Sequence, residues 1–64
     1  MIAYIARDKN NLLCLHHREP ELDKDLEAYF SDDFFVLSDE DFQEFKDVTY
    51  EIGPVKVDFN ITRV

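Results

Sequence analysis

Cys14, His16 and His17 are the only soft metal ligands in the sequence, and a Cys-His nucleophile pair is the enzymatic version of the same residues. On an extended chain Cys14 and His16 point to one side and His17 to the other. A structural zinc needs four ligands converging tetrahedrally, and the paired Cys and His spacing that supplies them is absent. A Cys-His catalytic pair needs a third group to orient the base, and an oxyanion hole in a shielded pocket. A chain of 64 residues leaves little volume for a pocket of about 300 Å³. Cys14 therefore reads as a small core hydrophobe, and the two histidines as the mark of a strand end.

The acids invite a second test. Asp23-x-Asp25-x-Glu27 begins like an EF-hand loop, but Ala28 stands where glycine belongs and Phe34 where the bidentate glutamate belongs. No spacing selects a carboxylate pair for glycoside hydrolysis. There is no P-loop, dinucleotide fingerprint, serine elbow or basic recognition helix. No catalytic, cofactor-binding or metal-ligating residue is assigned, and no enzyme and no cofactor are expected.

The elements that would position these residues follow from periodicity. Ile2 to Arg7 and Leu12 to His17 are short apolar stretches around Asp8-Lys9-Asn10-Asn11, whose asparagines tolerate left-handed backbone. That pattern predicts a β-hairpin. In its first strand Ala3, Ile5 and Arg7 share one face, and Ile2, Tyr4 and Ala6 the other. Both faces are partly apolar, so cover is expected on more than one side. Pro20 ends the second strand. Leu22, Leu26, Tyr29 and Phe30 have helical spacing. The competing reading, preferred slightly, is a polar linker into a strand from Glu27 to Phe30. Ser31-Asp32-Asp33 would then turn it into Phe34 to Ser38, a buried strand by residue type.

Ser38 followed by Asp39, Glu40 and Asp41 looks like a capped start of a helix of about two turns, laying Phe42 and Phe45 on a sheet. Val48, Tyr50 and Ile52 then alternate as in a strand. After Gly53-Pro54, Val55, Val57, Phe59 and Ile61 alternate with Lys56, Asp58, Asn60 and Thr62 as a second one. The predicted class is α+β: one small domain over residues 1–64, an antiparallel sheet of four to five strands, and one short helix. The last strand, if at an edge, offers unpaired backbone to another copy or to a partner. The six Phe and three Tyr read mainly as core, with Tyr4, Tyr29 and Tyr50 as the surface alternative.

Net charge is −8, and it is uneven. Residues 19 to 47 hold 12 acids against Lys24 and Lys46, a charge of −10, so the remainder carries +2. An acidic excess disfavours direct nucleic-acid binding and docking on anionic membranes. No run approaches the roughly 20 apolar residues of a membrane span, and the Met1 end lacks a secretory pattern. A cytoplasmic location with reduced Cys14 is expected. Protonating crowded acids relieves self-repulsion, so the sequence also predicts greater stability near pH 5 than near pH 8.

Ala3-Tyr4-Ile5-Ala6-Arg7-Asp8-Lys9-Asn10 resembles the opening of short uncharacterised bacterial proteins, often carried on prophages and other mobile elements. The likeness returns at Phe45, Val48-Thr49-Tyr50-Glu51 and Lys56-Val57, and leaves the acidic middle unmatched. Those proteins tend to have Phe-Pro-Glu and a Trp where this chain has Phe45-Lys46-Asp47 and Tyr50. The resemblance implies no activity and carries over no functional residue. The expected function is a protein-binding or accessory module, joined to a protein partner or to itself through an edge strand. The alternative is an acidic inhibitor that mimics nucleic acid, which requires the central acids to lie on one surface.

Overall fold

The hairpin forms where the two apolar stretches predict it. The computed structural model describes residues 2–58. β1 (Ile2–Arg7) and β2 (Leu13–His16) pair antiparallel, with Arg7 opposite Leu13 and Tyr4 opposite His16. Asn11 takes the left-handed conformation at φ 79°, and the Asn10 side chain accepts the Leu12 N–H at 3.0 Å. The Asp8 N–H closes the loop on the Leu12 carbonyl at 2.9 Å.

Four further strands follow: β3 (Glu21–Asp23), β4 (Ala28–Phe30), β5 (Phe34–Leu37) and β6 (Val55–Asp58). β3 and β4 form a separate two-stranded sheet. The others make a four-stranded antiparallel sheet in the order β5-β2-β1-β6. With the β3–β4 excursion set aside, this is Greek-key order, the fourth strand returning beside the first.

The two faces of the large sheet are covered differently. Ala3, Ile5, Leu13 and Leu15 lie on one face and pack with Val48 as the buried core. The crossover from β5 to β6 closes over them, laying Phe42, Phe45 and Val48 against the core beside Leu37, Val55 and Val57. The opposite face carries Ala6, Cys14 and His16, all buried, and meets the β3–β4 hairpin. Ser31 Oγ lies 2.7 Å from His16 Nδ1, and the Tyr29 N–H donates to Asp8 at 2.9 Å. The expectation of cover on both sides holds.

The class does not hold. The protein is all-β rather than α+β, with no α-helix among the described residues. Ser38 does nucleate a turn: its carbonyl accepts from Asp41 and Phe42, and its hydroxyl from the Glu40 N–H at 3.2 Å. Phe42 then leaves helical space (φ −126°, ψ 56°), and only a 3-10 turn follows, Gln43–Phe45. A two-turn helix recovers few hydrogen bonds for its nucleation cost. Here the two phenyl rings, stacked with centroids 6.4 Å apart, settle on the core of the sheet instead, and the Phe45 carbonyl accepts from Arg7 of β1 at 3.3 Å.

Three other expectations are corrected. Val48 to Ile52 is not a strand, because the crossover passes over the sheet with no neighbouring strand to pair with. It ends in a turn in which Thr49 Oγ1 accepts the Ile52 N–H. Residues 27–30 and 34–38 do contain strands, yet Ser31-Asp32-Asp33 does not join them as a hairpin. β4 pairs with β3, Leu22 opposite Tyr29, while β5 pairs with β2. The polar linker expected ahead of Glu27 thus contains a strand of its own, β3. The core is aliphatic rather than aromatic: no described Phe or Tyr is fully buried, and Phe30, Phe34 and Phe35 are exposed. The β6 alternation appears over Val55–Asp58; its continuation through Phe59 and Ile61 lies outside the described residues. Among the described residues no helix is long and apolar enough to cross a membrane.

Gly53 is where the crossover turns into β6. It sits at φ +81°, and a Cβ there would lie 3.3 Å from Tyr29 Oη, which itself donates to the Tyr50 carbonyl at 3.0 Å. Both the conformation and the contact oppose a side chain. Gly53→Ala is expected to destabilise by about 1–2 kcal/mol in urea denaturation. A neutral or stabilising result would show that this turn is free to relax.

Candidate functional site

β5 is an edge of the large sheet, and its residues explain why that edge matters. Phe34, Phe35 and Val36 form a strand by residue type, and pairing with β2 covers only one side of its backbone. Antiparallel partners alternate between exchanging both hydrogen bonds and exchanging none. The Asp8–Leu12 closure assigns Cys14 and His16 to bond toward β1, which leaves Leu13 and Leu15 to bond toward β5. The His17 N–H donating to the Asp33 carbonyl at 3.5 Å fits the same alternation. Phe35 and Leu37 therefore satisfy β2, and the N–H and C=O groups of Phe34 and Val36 point outward from the sheet.

The side chains are as open as the backbone. Phe34, Phe35 and Val36 are 46%, 56% and 58% exposed. The Phe34 ring leans on His16, and the Phe35 ring meets His17 edge-on, both at 5.8 Å. This corrects the expectation of a buried strand. A signal was present: Asp32 and Asp33 precede the strand and Asp39 to Asp41 follow it, as charges bracket edges that must not aggregate. The condition attached to the last strand is met over Val55–Asp58, since β6 lies at the other side of the sheet among the described residues. Its sequence Val-Lys-Val-Asp alternates apolar and charged, so it is the less apolar of the two edges.

The soft residues do not converge into a site. Cys14 and His16 share a face and His17 the other, as alternation requires, and no group of three or more His, Cys, Asp or Glu able to hold a metal occurs among the described residues. Burial, helped by the nearby Asp8 charge, pushes the Cys14 thiol up, away from the reactive thiolate. The Asp23–Glu27 acids build the β3–β4 turn. Asp23 accepts the Asp25 and Leu26 N–H groups at 3.0 and 3.1 Å, and Glu27 takes φ 53°. Glu27 also pairs with Lys9 at 2.6 Å, raising the lysine's pKa.

Among the described residues, open depressions include the following pair. The larger, of 490 Å³, is lined by charges of both signs, among them Arg7, Lys9 and Lys46 against Asp8, Asp39 and Glu51. The smaller, of 400 Å³, lies where β4 gives way to β5 and is lined by Arg18, Glu19, Glu21, Phe30, Ser31 and Asp32. The central acids divide between two sides of the sheet. Glu21 to Glu27 belong to the β3–β4 hairpin, whereas Asp39 to Asp47 belong to the crossover on the opposite face. No protein-family model, curated protein or solved structure matches this chain.

Proposed function

We propose that this protein is a protein-binding module that captures an extended segment of a partner on the free edge of β5. The observation that supports it is the outward-pointing backbone of Phe34 and Val36 in a strand whose side chains are about half exposed. Strand addition uses such an edge: main-chain hydrogen bonds supply affinity, and alternate side chains supply selectivity. The division of the acids between two sides of the sheet favours this reading over a nucleic-acid-mimicking inhibitor, which needs them on one surface.

Val36→Pro tests the proposal. The Val36 N–H makes no bond to β2, so proline removes an outward donor at a position where edge strands tolerate it. A displayed library of extended peptides should enrich binders on the wild type. Val36→Pro should weaken them by about tenfold or more, with an unchanged urea midpoint. Lys56→Pro, the matching change on the β6 edge, should leave them bound. Enrichment of no peptide at all, full binding to Val36→Pro, or loss confined to Lys56→Pro would each defeat the proposal.

A further inference from the structure

The chemistry around β5 narrows what can lie there, granted that the edge takes a strand as proposed above. A second copy is the first occupant to consider. Antiparallel β5–β5 pairing through the outward groups of Phe34 and Val36 would set Phe34 of one copy opposite Val36 of the other. At each end of the shared ladder, Asp32 and Asp33 of one copy would arrive beside the Ser38–Asp41 segment of the other. Only Asp39 among these acids has an ion-pair partner, Arg7; Asp32, Asp33, Glu40 and Asp41 are exposed. Each copy also brings a net charge of −8. Like charges set opposite one another destabilise a ladder, and this geometry repeats the conflict at both ends.

The same acids suit a different strand. The depression beside the start of β5 presents Glu19, Glu21 and Asp32 against the single cation Arg18, with Phe30 as its apolar wall. Glu40 and Asp41 stand past the other end. We infer that the occupant of the β5 edge is an extended segment of another protein, apolar at alternate central residues and carrying Lys or Arg at both ends. The centre covers Phe34 and Val36 on one face and Phe35 on the other. The flanking cations meet the acids that repel a second copy, so one charge pattern both attracts the partner and opposes self-pairing.

The test uses two synthetic peptides with the same Thr-Val-Thr-Val-Thr centre, one flanked by two lysines at each end and one by two glutamates. At about 50 mM salt the lysine-flanked peptide should bind about tenfold tighter or more, and the gap should shrink at about 0.5 M salt. Amide exchange at Phe34 and Val36 should slow on binding. Replacing Asp32→Lys and Asp33→Lys together, both at exposed positions, should reduce or erase the preference. Equal binding of both peptides with slowed exchange would overturn the cationic occupant while leaving strand addition standing. So would concentration-dependent dimerisation in sedimentation that Val36→Pro abolishes, since the occupant would then be a second copy. Unchanged exchange at Phe34 and Val36 with either peptide, and no dimer, would overturn both proposals together.

Discussion

Arg7→Met is expected to cost about 3 kcal/mol of folding stability, a large share of the roughly 3–10 kcal/mol available to a domain of this size. The side chain continues the inward face of Ala3 and Ile5, and the residue is only 7% exposed. Its guanidinium has five N–H donors, and each has an acceptor. Nε donates to the Val48 carbonyl at 2.7 Å. One Nη reaches the Asn11 carbonyl at 2.9 Å and Asp39 at 3.3 Å. The other reaches Asp39 at 2.9 Å and the Phe45 carbonyl at 3.3 Å. One residue thereby ties the β1–β2 loop and three points of the crossover, Asp39, Phe45 and Val48, to the sheet.

Methionine matches the stem but takes the donor from the Val48 and Asn11 carbonyls, each buried one costing about 1–3 kcal/mol, while the Phe45 carbonyl keeps the Val48 N–H at 3.1 Å. Arg7→Lys should recover only part of the loss, because an ammonium cannot span the same acceptors. Asp39→Asn should cost less than either. Its side chain is 54% exposed, and its carboxyl is held below the usual range chiefly by the hydrogen bond from Arg7, a bond that water screens. Urea unfolding of the three variants checks the order. An Asp39→Asn loss equal to that of Arg7→Met would show that the ion pair, rather than the clamp on the backbone, carries the effect.

Acidifying the protein from pH 8 to pH 5 is expected to lower its melting temperature, the reverse of what acid crowding alone predicts. The cause is His16, which is fully buried. Ser31 Oγ donates its one proton to the Asp33 carbonyl at 3.1 Å, so it accepts from His16 Nδ1–H at 2.7 Å. The neutral tautomer with a bare Nε2 follows, and Nε2 has no hydrogen-bond partner among the described residues. Protonation would place an N–H and a charge where no acceptor waits. Burial accordingly lowers the His16 pKa below the ordinary 6.5, with the Asp8 charge opposing in part.

Since the folded pKa is depressed, the unfolded chain takes the proton first. The stabilisation is fully present above pH 6.5 and is lost as pH falls through the folded pKa, with one proton setting a ceiling of about 1.4 kcal/mol per pH unit. Relief of repulsion among the acids acts in the opposite direction, and the expected fall in melting temperature is the result if the buried His16 outweighs it. His16→Phe should flatten the profile between pH 8 and pH 5. An equal or higher melting temperature at pH 5 in the wild type, or an unaltered slope in His16→Phe, would remove His16 as the cause.

These two residues show how unevenly the molecule can be read from its chain. The β1–β2 hairpin was legible because its strands and its Asn-rich loop are local, and Val55 to Asp58 because alternation alone marks a strand with one apolar side. Phe34 to Leu37 was legible as a strand but not as an edge, since residue type reports fitness for a pleat and not how many neighbours the pleat has. Ser38 is expected as the cap of a two-turn helix, and its hydroxyl does take an N–H, that of Glu40, but only a turn follows. Whether Phe42 and Phe45 continue a spiral or settle onto a sheet depends on a sheet built by residues far away in the chain. Arg7 carried a visible hint, a cation in register with Ala3 and Ile5. Its acceptors at Phe45 and Val48 are backbone atoms, which no side-chain pattern reveals.

What the residues determined by themselves was local and chemical: short strands, a polar loop and a strongly acidic middle. Tertiary structure alone decided which strands are neighbours, that Ser31 serves His16 rather than a β4–β5 hairpin, and that β5 ends with one side of its backbone unpaired. The reason is physical. Hydrogen bonds within a turn depend on residues a few positions apart, whereas sheet order depends on closing long loops around a shared core. Many strand orders satisfy the same alternation, and packing selects among them.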